Sequence, residues 1–83
     1  MALSYDDLRT LSILAAEKAD DSSIPIRERE RWADLAERVM DGSGSANDLK
    51  ACAELAELDA ALQPDAKVRQ RYIALARRAV TAS

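Results

Sequence analysis

Ser4-Tyr5-Asp6-Asp7-Leu8-Arg9 near the start of the chain lines up with Ser45-Ala46-Asn47-Asp48-Leu49-Lys50 near its middle. Further on, Arg31-Trp32-Ala33-Asp34-Leu35-Ala36-Glu37-Arg38 lines up with Arg71-Tyr72-Ile73-Ala74-Leu75-Ala76-Arg77-Arg78. The offset is about 40 residues, room for two helices and a turn. Each half therefore reads as one helical hairpin, and the chain as an all-α domain of two antiparallel hairpins with four helices. Leu14 with Leu55 and Pro25 with Pro64 extend the match. Two origins stay open: an internal duplication, or two amphipathic hairpins that agree by chance in an alphabet rich in Ala, Leu, Arg and Asp.

The local signals fit this division. Ser4 with Asp7, and Ser45 with Asp48, resemble capping boxes with Asp in place of Glu. The first helix is expected from about Ser4 to Asp20, with Leu8, Leu11, Leu14, Ala15 and Ala19 at helical spacing. Ser23 or Ile24 should cap the second helix, with Pro25 in its first turn. Its inward stripe is Trp32, Leu35, Ala36 and Val39, and Gly42-Ser43-Gly44 ends it as the flexible linker between the hairpins. Leu49, Cys52, Leu55, Ala56, Leu58 and Leu62 make the expected face of the third helix. Gln63-Pro64 marks the next turn, and Asp65 sits well beside the N-terminal dipole of the fourth. Val68, Tyr72, Leu75, Ala76, Ala79 and Val80 form that helix's face, and Thr81-Ala82-Ser83 should fray. Hairpin 1 covers about residues 4–41 and hairpin 2 about 45–81 of one domain, 1–83. The period falls in the range of tetratricopeptide and HEAT-like repeats. The Trp, Leu-Gly, Tyr and Pro pattern of the former is not met, and two repeats are too few for a solenoid.

Composition limits both stability and chemistry. A chain of 83 residues is one domain with a small core. It has one Cys and no His, so it has no internal disulfide, no Cys/His metal site and no His-based acid, base or triad. Helix packing and self-association remain as sources of stability, and a homodimer or other homo-oligomer is expected because Ala-rich helices bury little area. No run is long enough to cross a membrane. Met1-Ala2-Leu3-Ser4-Tyr5-Asp6-Asp7 lacks the basic start of a secretory signal. A cytoplasmic location is expected, and a lone thiol suits a reducing compartment.

Cys52 is the one strong nucleophile by type, but its place on an apolar face reads as core. Gly42-Ser43-Gly44-Ser45 lacks the Lys and the preceding strand of a phosphate loop. No cofactor or catalytic residue is assigned. Charge is more informative. The first helix and its loop carry five acids against two bases, the third helix four against one, and the fourth helix one acid, Asp65, against five bases. Arg69, Arg71, Arg77 and Arg78 of the fourth helix are thus candidate partner-binding residues. They have three possible counterparts: acids of the same fold or of a second copy, an acidic protein, or nucleic-acid phosphates. The net charge of −3 weighs against the last. Asp20 and Asp21 are candidates for the opposite reason: acids are disfavoured at the C-terminal end of a helix. They could cap the next helix, bind a cation or face a basic partner, although a solvated loop also accounts for them. Trp32 and Tyr72 are candidate aromatic anchors, and equivalent hairpins should place them equivalently.

The function expected from these features is a non-enzymatic protein–protein interaction module, an adaptor or inhibitor. Its size and composition fit a phage or bacterial accessory protein that binds and inhibits or adapts a host factor. The alternative is a dimeric nucleic-acid-associated regulator that uses the basic fourth helix.

Overall fold

A computed structural model describes residues 3–82, and its regular structure is entirely helical. Helix α1 spans Tyr5–Ala19, α2 Ile26–Met40, α3 Ala46–Leu62 and α4 Ala66–Ala82. α1 packs chiefly on α2 and α3 chiefly on α4, while α1 against α3 is the main contact between the two pairs. α1 and α2 run antiparallel. The Ser12 hydroxyl donates to the Ala36 carbonyl at 3.0 Å, and Arg29 Nε, nearer the start of α2, donates to Ala19 at the end of α1 at 2.9 Å. A short connection through Pro64 turns α3 back into α4.

The helices begin where side chains satisfy their free N–H groups. Ser4 Oγ accepts from Asp7 N–H at 3.1 Å, while the Asp7 carboxylate accepts from Ser4 N–H. Ser45 and Asp48 make the same reciprocal box. Asp65 Oδ1 accepts from Lys67 N–H at 2.8 Å, so the acid expected beside the α4 dipole holds its first turn.

Four local expectations are corrected. Pro25 is the N-cap of α2, not its first-turn residue, because its ψ of 144° is extended. Gly42-Ser43-Gly44 is a hydrogen-bonded helix stop, not a loose linker. Gly42, at φ 78°, lets Gly42 N–H donate to Val39 O and Ser43 N–H donate to Arg38 O, closing the end of α2. Thr81 and Ala82 belong to α4, where Thr81 Oγ1 donates to Arg77 O at 2.9 Å. Ser83 lies outside the described residues. The fourth correction concerns which apolar side chains face inward.

The core joins Leu11, Leu14 and Ala15 of α1, Leu35, Ala36 and Val39 of α2, Cys52, Ala53 and Ala56 of α3, and Leu75, Ala76 and Ala79 of α4. Matched positions share this burial: Leu11 with Cys52, Ala15 with Ala56, Leu35 with Leu75, and Ala36 with Ala76. The face expected for α3 is only half right. Ala53, Ala56 and Ala60 face in, whereas Leu58 is 64% and Leu62 79% exposed. Val80 of α4 is also exposed. α3 lies between α1 and α4, and close approach on both sides selects Ala and Cys inward. The bulkier Leu58 and Leu62 are left on the outer side.

Candidate functional site

The ends of the helices hold two matched ion pairs. Arg38, in the last turn of α2, donates from Nε to Asp48 Oδ2 at 2.9 Å and from the terminal nitrogen to Oδ1 at 3.0 Å. Arg78, near the end of α4, donates to the two Asp7 oxygens at 3.1 and 2.8 Å. Both are fork-to-fork pairs, the geometry that makes Arg–carboxylate contacts specific. Asp7 and Asp48 occupy matched positions, as do Arg38 and Arg78. Each acid is therefore clasped by the arginine of the other half. That reciprocity is the pattern of an isologous contact between two like units, here within one chain.

The same carboxylates complete the capping boxes, so each clasp anchors a helix start in one half to a helix end in the other. Arg38 holds the Asp48 carboxyl down at about 2, with the capping bonds from Ser45 adding to the effect and burial opposing it. Arg78 and Ser4 lower Asp7 in the same way. Sequence alone marks Arg78 as a partner-binding candidate and Asp7 and Asp48 as helix caps, and does not pair either acid with Arg38 or Arg78. The signal was present: they are the charged residues that match in both halves at helix termini.

The other candidate arginines differ. Arg71 and Arg77 are exposed and Arg69 is half-buried. Among the described residues the ion pairs are the two clasps, and neither engages these three. The exposed side of α4 thus carries Lys67, Arg71, Ala74 and Arg77, with no acid among them.

Asp20 and Asp21 have local roles. Asp20 is the C-cap of α1, and its backbone N–H closes the helix. Asp21 Oδ1 accepts from Ser23 N–H at 2.9 Å and Ser23 Oγ at 2.6 Å, bonds that shape the loop and lower its carboxyl. Acids are tolerated at this helix end partly because the Arg29 guanidinium bonds the Ala19 carbonyl. Both carboxylates remain exposed.

Trp32 and Tyr72 are both half-buried against the core. Each lines an open groove with the Arg before it and the Leu three residues on. Arg71, Tyr72 and Leu75 meet Asp6 and Thr10 of α1 in one, of about 340 Å³. Arg31, Trp32 and Leu35 meet Ala51 of α3 in the other, of about 320 Å³. The two aromatics thus take equivalent places. Burial raises the Tyr72 hydroxyl's pKa, and Asp59 and Glu17 beside it add to the rise.

A further groove, of about 310 Å³, lies between the C-terminal halves of α1 and α3. Leu14 and Leu55 line it, together with the exposed Leu58 and Leu62 and the charged Glu17, Lys18, Asp21 and Asp59.

Cys52 is fully buried, and burial with the nearby Asp48 charge pushes its thiol up to about 11. That is the opposite of activation. Among the described residues no three His, Cys, Asp or Glu side chains are grouped to hold a metal ion, and no helix is long and apolar enough to cross a membrane. No protein-family model, curated protein or solved structure matches the chain.

Proposed function

We propose that the protein is a non-enzymatic interaction module, an adaptor or inhibitor that presents helix surfaces to a protein partner. The observation that carries this reading is the outer side of α4, where Lys67, Arg71 and Arg77 stand exposed around Ala74 with no acid among them. An acidic protein surface is the fitting counterpart. The perturbed groups support a structural use of the chain's chemistry. The clasped carboxylates are lowered and the thiol is raised, so none is poised near neutral pH for proton transfer or attack.

The test is affinity capture from cells that make the protein, with nuclease treatment, using the parent and Arg71→Glu/Arg77→Glu as baits. Arg78 is left alone because reversing it would break a clasp. The expected result is a protein held by the parent and lost from the variant while the melting temperature stays within a few degrees. Identical retention by both baits contradicts the reading. A nucleic-acid mobility shift abolished by the same variant would instead establish the regulator, against which the net charge of −3 weighs.

Self-association is part of the proposal. The chain exposes 5526 Å², against about 4,900 Å² for a folded monomer of its mass. Sedimentation at micromolar concentration is expected to give a species heavier than 9.1 kDa. A monomer with a cooperative melt would remove this part of the account.

A further inference from the structure

We infer that the groove between the C-terminal halves of α1 and α3 docks a basic amphipathic helix of a protein partner. This rests on the reading of the chain as an interaction module, but it uses a different surface and the opposite charge. Leu55, Leu58 and Leu62 recur at i, i+3 and i+7, the spacing of a helix-pairing seam. The buried positions of α3, Cys52, Ala56 and Ala60, lie on another side of the helix; Leu55 packs against the core, while Leu58 and Leu62 are surplus to it. Leu58 and Leu62 remain 64% and 79% exposed, while Leu14 and Leu55 close the bottom of the groove. In the first half the matched positions are Glu17 in α1 and Asp21 in the loop after it, so neither carries a leucine there.

The charge around the seam selects the occupant. Glu17, Asp21 and Asp59 line the groove against a single base, Lys18. The carbonyl ends of α1 and α3 add partial negative charge, and α3 has no basic residue in its last turn. A second copy fits poorly. Groove against groove would set acids against acids. The α4 face of another copy would supply arginines around Ala74 but no apolar ridge for the leucines to meet. A partner helix with an apolar stripe and flanking Lys or Arg satisfies both features.

The experiment is fluorescence anisotropy with a labelled synthetic Leu/Lys peptide whose leucines fall on one helix face. A peptide of the same pattern with Glu for Lys is the control. The parent should bind the Leu/Lys peptide and not the Leu/Glu peptide. Leu58→Gln/Leu62→Gln, which leaves every charge in place, should weaken binding at least about tenfold. No binding, equal binding by parent and variant, or equal binding of both peptides overturns the inference. Amide chemical-shift changes in the parent provide a second readout that needs no variant. They should centre on residues 14–21 and 55–62, and a centre elsewhere also overturns it. Arg71→Glu/Arg77→Glu leaves this groove intact, so failure here and failure of the α4 capture experiment are separate results.

Discussion

Asp48 does two jobs with one carboxylate: it caps α3 and receives the fork of Arg38. Asp48→Ala removes both and should cost about 2–3 kcal/mol, a fall in melting temperature of about 10–20 °C. Arg38→Ala leaves the cap and, with Arg38 about half exposed to screening solvent, should lower the melting temperature less than Asp48→Ala does. Thermal melts of the two variants check the order. The pH dependence has a definite sign. Asp48 titrates at about 2 when folded against an ordinary 3.8, and Asp7 is lowered too. The folded state therefore binds fewer protons than the unfolded one in this range. The clasps' contribution is complete above about pH 4 and falls away as pH drops toward about 2. Asp48→Ala should flatten that acid limb in equilibrium unfolding. Cys52 offers a separate check. Its thiol is buried and raised to about 11, so a thiol reagent at neutral pH should react fully only after denaturation. Rapid labelling of the native protein would contradict the core placement.

Among the elements, α2 and α4 present the faces expected of them apart from Val80, whereas α3 does not. Leu35 and Leu75 are both buried, so Leu35→Asp and Leu75→Asp should each abolish the cooperative melt by placing an unpaired charge in the core. A native melting temperature in either variant would refute that placement. The helix starts were legible because Ser and Asp three residues apart form a local motif that needs no tertiary context. The Leu11, Leu35 and Leu75 stripes were legible because those helices carry polar residues on their other sides. α3 was not, since Ala, Cys and Leu occur all around it and periodicity cannot rank them. Ala53 and Ala60 face in because two neighbouring helices come close, a fact that lies outside α3 itself. The clasps were half legible. The match of Asp7 with Asp48 and of Arg38 with Arg78 was visible, but crossing from one half to the other is set by how the hairpins pack.

The whole molecule is a thin body, 33 × 28 × 17 Å, whose stability and candidate recognition surfaces fall on different residues. Matched residues build the frame: the capping boxes, the clasps, and the Ala and Leu positions of the core. Charge and bulk break the match at exposed positions. α4 has Ala74 and Arg77 where α2 has Asp34 and Glu37, and α3 has Leu58 and Leu62 where the first half has Glu17 and Asp21. A frame made of equivalent parts leaves the unequal parts available to bind something else, which is the central claim for this chain. Thermal unfolding of Leu58→Gln/Leu62→Gln, followed by circular dichroism, tests it most directly. The account predicts native helicity and a cooperative melt within a few degrees of the parent, because neither leucine belongs to the core. A melt lowered by the roughly 15 °C or more that accompanies loss of a buried leucine would contradict it, making the seam part of the frame.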